Sequence, residues 1–222
     1  MDMLRPAEKL VEVKAILVRA IVETGVFLDR TNSPDGRGFR LKLHETQPDA
    51  PLSPYYIDLR RLYGSGNAIG IAADALAILI EAKGIEYDRL AGIPVASLPI
   101  VGAMAVNLDK PMVIPRQPKT HGTSDTIEGP FNEGENVLLV DDLVTGADSK
   151  LEAADPLRKK GLIVTDCSVL VDREQGGPAQ LAEAGIALHA VLTITELLDI
   201  LEKEGHINSQ TAAEIREYRA AN

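Results

Sequence analysis

The 222 residues of the chain suffice for one sizeable α/β domain with small additions. The formal net charge of −10 excludes nucleic acid and anionic lipid as default partners, because an acidic surface repels their phosphates, although a local basic pocket for a small anion is still possible. The single cysteine, Cys167, excludes an internal disulfide, and its expected role is that of a small buried hydrophobic residue.

Export and membrane signals are not expected either. The amino-terminal stretch MDMLRPAEKLVEVK has no long apolar core and no small-residue cleavage site. The most apolar helical stretch, residues 68–84, contains Asp74 and is too short to span a membrane. These features, together with the cysteine usage, predict a cytoplasmic protein that is not bound to membranes.

The first part of the chain predicts two helices joined by irregular segments. Apolar residues near helical spacing indicate a helix over residues 5–24, and the turn formers in residues 25–52 indicate loops. The stretch YYIDLRRL, residues 55–62, is rich in β-forming residues and predicts a strand. Residues 67–83 predict an amphipathic helix that ends at Gly84.

Strands and helices alternate through the rest of the chain. This order implies a parallel sheet covered by helices on both faces, which binds ligands at the carboxyl ends of its strands. A long loop is predicted over residues 115–135, and loops of that length in a compact domain are usually functional or mobile. Strands are predicted at residues 89–93, 112–114, 136–140, 162–172 and 186–192, and helices at about 98–108, 149–160, 178–185, 195–205 and 209–220.

Two adjacent carboxylates, Asp141 and Asp142, follow the predicted strand at residues 136–140. Such a pair can accept hydrogen bonds from a sugar diol, hold a divalent cation through water, or stabilise a carbon that becomes positive in a transition state. The alternative is that one of them is a helix N-cap or a solvated turn residue. The small residues of the next segment, 145–149, favour the functional interpretation, because free backbone N–H groups at a helix start bind phosphate.

Three cationic or titratable residues lie close together in the long loop. The stretch RQPKTHG contains Arg116, Lys119 and His121. A loop with these residues can close over an anion, and lysine and histidine can also transfer a proton. The alternative is that they are ordinary solvated loop charges.

A further cation, Arg173, stands at the end of a predicted strand in the stretch VDREQGG. Its guanidinium group can bind a carboxylate or a planar amide. The alternative is a surface ion pair with Asp172 or Glu174. The glycine pair at residues 176–177 suits close backbone approach to a ligand. No cluster of histidine, cysteine and carboxylate has the spacing of a metal site.

Taken together, these segments resemble the type I phosphoribosyltransferases, and within them the orotate phosphoribosyltransferase family. The resemblance covers nearly the whole chain, and its strength lies in several motifs that occur in the right order. These are FRLK, SPYYIDLR, GIPVASLP, RQPKTHG, VLLVDDLVTGADS, DREQGG and LHAVLTITELLDIL.

The resemblance implies an α/β fold in which helices flank a parallel sheet and a small amino-terminal hood covers it. Residues 1–66 would form the first helix and the hood on the orotate side, residues 67–205 the phosphoribosyltransferase core, and residues 206–222 a terminal helix. The implied reaction joins orotate to 5-phosphoribosyl 1-diphosphate (PRPP) and gives orotidine 5′-phosphate and diphosphate, a step of de novo pyrimidine biosynthesis.

The same resemblance implies roles for the motif residues. Asp141 and Asp142 would hold the ribose hydroxyls of PRPP and flank its anomeric carbon. Lys119 and His121 would cover the departing diphosphate, and these four residues form the implied catalytic set. The implied PRPP-binding set is Arg116, Lys119, His121, Asp141, Asp142, Thr145, Gly146, Ala147, Asp148 and Ser149.

Orotate, the metal and the assembly state are also implied by the resemblance. The implied orotate-binding set is Lys42, Tyr56, Thr145 and Arg173. Mg²⁺ would be held mainly by PRPP, near Asp141 and Asp142 and with no direct protein ligand. The chain would form a homodimer with shared active sites.

Departures from the family pattern fall in the two loops and in the hood. Pro115 stands where an arginine is usual and Arg116 where a lysine is usual, so one cation against the diphosphate is missing. Ala147 replaces a glycine, and Asp148 places a carboxylate beside the expected phosphate unless it points away, for example as a helix N-cap. About six extra residues lie between Lys42 and Ser53.

These departures leave two alternative functions open. One is a non-catalytic module with the same fold that senses PRPP or a nucleotide. The other is a phosphoribosyltransferase for a different base.

Overall fold

The computed structural model describes residues 5–116 and 126–221, apart from the side chain of Lys42. A six-stranded sheet forms the centre of the molecule, in the order β5-β4-β3-β6-β7-β8. All neighbouring strands are parallel except β5, which runs antiparallel to β4. The strands are β3 (Arg89–Gly92), β4 (Met112–Pro115), β5 (Ile127–Glu128), β6 (Asn136–Val144), β7 (Ile163–Asp172) and β8 (Ala187–Thr193).

Helices cover both faces of this sheet. They are α1 (Pro6–Glu23), α2 (Gly66–Lys83), α3 (Leu98–Asn107), α4 (Asp148–Lys159), α5 (Gly177–Glu183), α6 (Ile194–Lys203) and α7 (Ser209–Ala221). Successive residues of a strand point to opposite faces, so Leu138 and Val140 of β6 pack with the core that includes α1 and α2, whereas Val137 and Leu139 pack with α4. The described residues contain no helix with the length and apolarity that a membrane span requires.

The amino-terminal part adds a second, two-stranded sheet. In it β1 (Phe27–Asp29) pairs antiparallel with β2 (Tyr55–Ile57). Short 3-10 turns lie at Arg30–Asn32, Lys42–Glu45 and Leu59–Gly64. Apolar residues of α1 share one core with α2, and the division of the chain into 1–66, 67–205 and 206–222 stays a prediction.

The structure corrects four expectations about secondary structure. Residues 25–52, predicted as loops, contain the strand β1, which pairs with β2. The strand predicted over residues 55–62 stops at Ile57, because its partner strand β1 is three residues long, and the chain then turns into the Leu59–Gly64 segment. The loop predicted over residues 115–135 contains β5, so the sheet is not wholly parallel. The strand predicted to end at residue 140 continues to Val144, because β7 offers ladder partners along its whole length.

Candidate active site

Asp141 and Asp142 lie near the carboxyl end of β6, at the edge of the sheet where parallel α/β folds bind ligands. Asp141 is buried, with 6% of its surface exposed, and its Oδ1 accepts the N–H of Asp142 at 3.0 Å. The Oδ1 atom of Asp142 accepts the N–H of Leu143 at 2.7 Å. Burial, and secondarily the charge of Asp141, raise the pKa of Asp142 to about 6.

The sequence analysis missed a third charged residue at this position, Lys150. Only 3% of its surface is exposed, and its Nζ lies 2.7 Å from Oδ2 of Asp141. The same Nζ donates to the carbonyl oxygen of Leu143 at 2.5 Å and to Oγ of Ser149 at 3.3 Å. A signal was available, because Lys150 shares the inward face of α4 with Ala153, Ala154 and Leu157 at helical spacing.

The loop between β6 and α4 is the predicted phosphate-binding segment. Its Ala147 is the N-cap of α4 and is buried, whereas Asp148 and Ser149 are exposed in the first turn. The suggestion that Asp148 caps this helix is therefore wrong. The N–H of Ala147 donates to Oε1 of Gln180 at 2.8 Å, so an α5 side chain that the sequence did not single out lies against the loop.

Gly177 contacts the backbone at the start of this loop. Its N–H donates to the carbonyl oxygen of Thr145 at 3.0 Å. A Cβ atom at Gly177 would lie 2.5 Å from Cγ2 of Val144 and 2.8 Å from the Thr145 oxygen. The glycine therefore permits close approach of α5 to the end of β6, a contact within the chain that the sequence interpretation had assigned to a ligand.

Gly177→Ala is expected to push the Thr145 carbonyl out of place, since a backbone oxygen cannot retreat as a flexible side chain can. The expected result is a loss of about 1–3 kcal/mol in unfolding free energy, the usual cost of overpacking, together with weaker binding of phosphate-containing ligands. Thermal unfolding and phosphate titration check this. Gly70→Ala is the matched control, because a Cβ there meets no neighbour within 4 Å.

Arg173 follows β7, next to β6 in the sheet, and is 8% exposed. Its Nη2 lies 3.4 Å from the Tyr55 hydroxyl, and its guanidinium carbon lies 5.3 Å from the centre of the Tyr55 ring. Its Nε is buried and has no hydrogen-bond partner among the residues that the structure describes. A buried donor without an acceptor is costly, so this atom is suited to an incoming acceptor.

The alternative role of Arg173, an ion pair with its sequence neighbours, is not what the structure shows. Asp172 accepts the N–H of Glu174 at 2.8 Å. Glu174 in turn pairs with Arg219, at 2.7 Å, and accepts the hydroxyl of Thr195 at 2.6 Å. The guanidinium group of Arg173 therefore makes no ion pair within the described part of the chain.

The other predicted residues divide into those the structure places and those it leaves out. Tyr56 packs on Phe39, with ring centres 5.7 Å apart, and it is the neighbouring Tyr55 that contacts Arg173. Nε of Arg116 lies 2.5 Å from Oε1 of Glu128 on the neighbouring strand. Lys119 and His121, like the Lys42 side chain, lie outside the described residues.

A cavity of about 830 Å³ runs along α4 from Ser149 to its end and adjoins the ends of β3 and β4, and its lining does not include Asp141, Asp142 or Arg173. Ser149, Arg116, Pro94 and Pro115 are among its lining residues. It brings one residue of each predicted PRPP loop, Ser149 and Arg116, to a common space. In the described residues, no group of three or more histidine, cysteine and carboxylate side chains could hold a metal ion.

Tyr63 links the amino-terminal part to this edge of the sheet. Its hydroxyl donates to the carbonyl oxygen of Ala96, in the loop that follows β3. Burial, and secondarily the charge of Asp142, raise the pKa of Tyr63 to about 12. The tyrosine is therefore a neutral donor beside the carboxylate at physiological pH.

No family model matches the chain. Comparison with curated proteins gives relatives over about three quarters of its length. The chain is 36% identical over 165 residues to a protein of Caenorhabditis elegans named orotate phosphoribosyltransferase, and the match covers 74% of this chain and 73% of that protein. It is 40% identical over 165 residues to a bifunctional enzyme, PyrF/PyrE, of Nostoc sp., with 74% of this chain and 34% of the relative covered.

Among solved structures, UMP synthase of Leishmania donovani has a similar fold, with a TM-score of 0.79 and 32% identity. The match covers 94% of this chain and 42% of the solved one. The chain thus spans about a third of the Nostoc relative and less than half of the Leishmania structure.

Proposed function

The chain belongs to the orotate phosphoribosyltransferase family, and we propose that it transfers the 5-phosphoribosyl group of PRPP to orotate. The products are orotidine 5′-phosphate and diphosphate, and the pathway is pyrimidine biosynthesis. The observation that carries this proposal is the arrangement at one sheet edge. Two carboxylates at the end of β6 adjoin a phosphate-type loop, and the next strand is followed by a buried guanidinium group whose Nε has no acceptor among the described residues.

Ribose is bound at the carboxylates. Asp141 and Asp142 accept hydrogen bonds from the sugar hydroxyls, and their negative charge stabilises the positive charge that grows on the anomeric carbon. The 5-phosphate binds at the start of α4, where helix N–H groups are unpaired within the helix. Because phosphate is a stronger acceptor than an amide, it displaces the exposed Gln180 side chain from the Ala147 N–H.

Orotate is bound by Arg173. The ligand is an anionic, planar ring with polar atoms along its edge, and the guanidinium group offers planar donors of opposite charge. The hydroxyl of Tyr55 lies near Nη2 and holds the arginine in place from one side. Tyr56, Thr145 and Lys42 complete the proposed base site. A purine presents no carboxylate to such a cation, which favours orotate as the acceptor base.

The diphosphate is covered by the loop residues Arg116, Lys119 and His121. Pro115 leaves this loop one cation short of the family pattern, so a larger share of the charge compensation falls on Lys119. Shared active sites in a cytoplasmic homodimer are part of the same proposal. They follow from the family pattern, in which this loop often reaches across the dimer.

Mg²⁺ fits the donor set of the site. Asp141 is already paired with Lys150, so the protein would offer few oxygen ligands of its own, which suits an ion that keeps its waters and binds phosphate oxygens near Asp142. When bound, Mg²⁺ neutralises negative charge on the diphosphate. Its binding site is then made mainly by PRPP, as the family resemblance implies.

Stability is expected to depend on pH through Asp142. Its folded pKa, about 6, lies above the ordinary value of 3.8, so the folded chain holds this proton more tightly than the unfolded chain does. The resulting stabilisation is present below about pH 4 and is lost as the pH rises through about 6. Asp142→Asn should therefore unfold like wild type at low pH and become the more stable protein near neutrality. Chemical unfolding without ligands checks this, and a pH-independent difference would contradict it.

A base panel tests the proposed function. The protein is incubated with PRPP, Mg²⁺ and either orotate, uracil, adenine or hypoxanthine, and the nucleotide products are separated by chromatography. The expected result is orotidine 5′-phosphate from orotate alone. A purine nucleotide as the sole product would support a transferase for another base, and PRPP binding without any product would support a non-catalytic sensor.

A further inference from the structure

We propose that Lys150 is a positioning residue that links the ribose-binding carboxylate Asp141 to the phosphate-binding loop through Ser149. This inference rests on the proposed function, because it assigns a role to a residue that lies behind the PRPP site. Lys150 belongs to none of the motifs that indicated the function.

The ammonium group has three N–H donors and three acceptors around it. They are Oδ2 of Asp141 at 2.7 Å, the Leu143 carbonyl oxygen at 2.5 Å and Oγ of Ser149 at 3.3 Å. These acceptors come from the end of β6 and from the first turn of α4. One buried cation therefore ties the strand that carries the carboxylates to the loop that receives the phosphate.

Local helix energetics do not account for a lysine at this position. Lys150 is the third residue of α4, where the positive end of the helix dipole disfavours a cation. Burying an ammonium group adds a desolvation cost, which only a well-placed counter-ion offsets. Asp141 supplies that counter-ion, so the position of Lys150 is explained by its partner on β6.

The contacts of Lys150 determine which hydrogen bonds Asp141 and Ser149 can still make to a ligand. Asp141 uses one oxygen for the N–H of Asp142 and the other for Lys150, which fixes the plane of the carboxylate toward the sugar. Oγ of Ser149 accepts a hydrogen bond from Lys150, so the serine hydroxyl can donate its own hydrogen bond to a phosphate oxygen. The lysine charge also offsets that of Asp141, which lowers the repulsion felt by an incoming phosphate.

Lys150→Met tests the inference, because methionine keeps a similar unbranched shape without the charge. We expect ribose 5-phosphate, which has both the hydroxyls and the phosphate, to bind at least about tenfold more weakly, the size of a charge-assisted contact. Inorganic diphosphate has no ribose hydroxyls and is expected at the site of the departing diphosphate, so it should bind within about twofold of wild type. A purely structural role would weaken both ligands alike, and unchanged ribose 5-phosphate binding would overturn the inference.

A matched control is Lys110→Met. Lys110 donates to the Tyr87 carbonyl oxygen at 3.1 Å and lies over the Tyr87 ring, on the side of the sheet where β3 begins. Both ligands should bind this variant as they bind wild type. Orotate turnover by wild type is measured in the same preparation. If turnover is absent, the proposed function and this inference both fail. If turnover is present and Lys150→Met binds ribose 5-phosphate as wild type does, this inference alone fails.

If Lys150→Met does not fold, because Asp141 is left as an unpaired buried charge, the double variant Asp141→Asn with Lys150→Met replaces it. Wild type is then the reference and inorganic phosphate the ligand, because Asp141→Asn alone would leave Lys150 as an unpaired buried charge. The double variant should bind inorganic phosphate at least about threefold more weakly than wild type, because Ser149 has lost its donor. Equal affinities would overturn the link to the phosphate loop.

Discussion

Replacing Lys119 with alanine should lower kcat by about a thousandfold, within the range of about 10²–10⁴ that a positioned proton donor or cation contributes. Lys119 belongs to the stretch RQPKTHG, which is similar to the catalytic loop of the family, and it lies outside the described residues. Pro115 occupies the place of one usual cation, so fewer positive charges face the departing diphosphate. The loss of Lys119 is therefore poorly compensated.

The measurement is steady-state turnover of orotate at saturating PRPP, with thermal unfolding to show that the fold is retained. Lys110→Ala serves as the control, since Lys110 lies half-buried beside Tyr87 and away from the carboxylates. His121→Ala should show a smaller loss in kcat, because lysine carries its charge at all physiological pH values and histidine does not. An unchanged kcat in Lys119→Ala would remove that residue from the mechanism.

Replacing Arg173 with methionine should raise the KM for orotate by about 100-fold or more, as truncation of one partner in a buried charge pair costs about 2–5 kcal/mol. The guanidinium group is buried, makes no ion pair among the described residues, and has an unpartnered Nε. Its hydrogen bond from Nη2 to the Tyr55 hydroxyl, at 3.4 Å, is long and leaves Nε without an acceptor among the described residues. Orotate therefore supplies the acceptors that this arginine lacks.

The diagnostic result for Arg173→Met is a large loss of orotate affinity with little loss of PRPP affinity. The KM for orotate should rise steeply, while the Kd for PRPP, measured without orotate, changes by less than about threefold because the sugar and phosphate contacts are intact. Arg219→Met is the matched control, since Arg219 lies near the same sheet edge but is neutralised by Glu174. Equal losses in orotate and PRPP affinity would indicate that Arg173 supports the fold and does not bind the base.

The α/β fold was predictable from the sequence and is confirmed, because alternation of apolar strands and amphipathic helices is a local signal. The extension of β6 to Val144 could not be predicted from the sequence. The carboxylates at 141 and 142 indicate the end of a strand unless β7 is known to lie beside them. The two-residue strand β5 has no periodicity to detect. In each case the missing information was a partner strand distant in sequence.

The candidate site, like the fold, could be predicted only in part from the sequence. The sequence singled out Asp141, Asp142 and Arg173, because charged residues at strand ends of a parallel sheet are unusual enough to suggest a site. It missed Lys150 because a lysine is expected on the surface by default. The desolvation cost of burying its ammonium group is offset by the carboxylate of Asp141, which the sequence does not place beside it. It also missed Gln180, whose contact with Ala147 depends on how α5 docks.

The measurement that tests the central claim most directly is the ultraviolet absorbance of orotate after the wild-type protein is mixed with PRPP and Mg²⁺. The account predicts a loss of the orotate signal that requires PRPP and Mg²⁺ together and that inorganic diphosphate reverses. A constant orotate signal, with PRPP binding still detected by calorimetry, would contradict the assignment of orotate as the acceptor base.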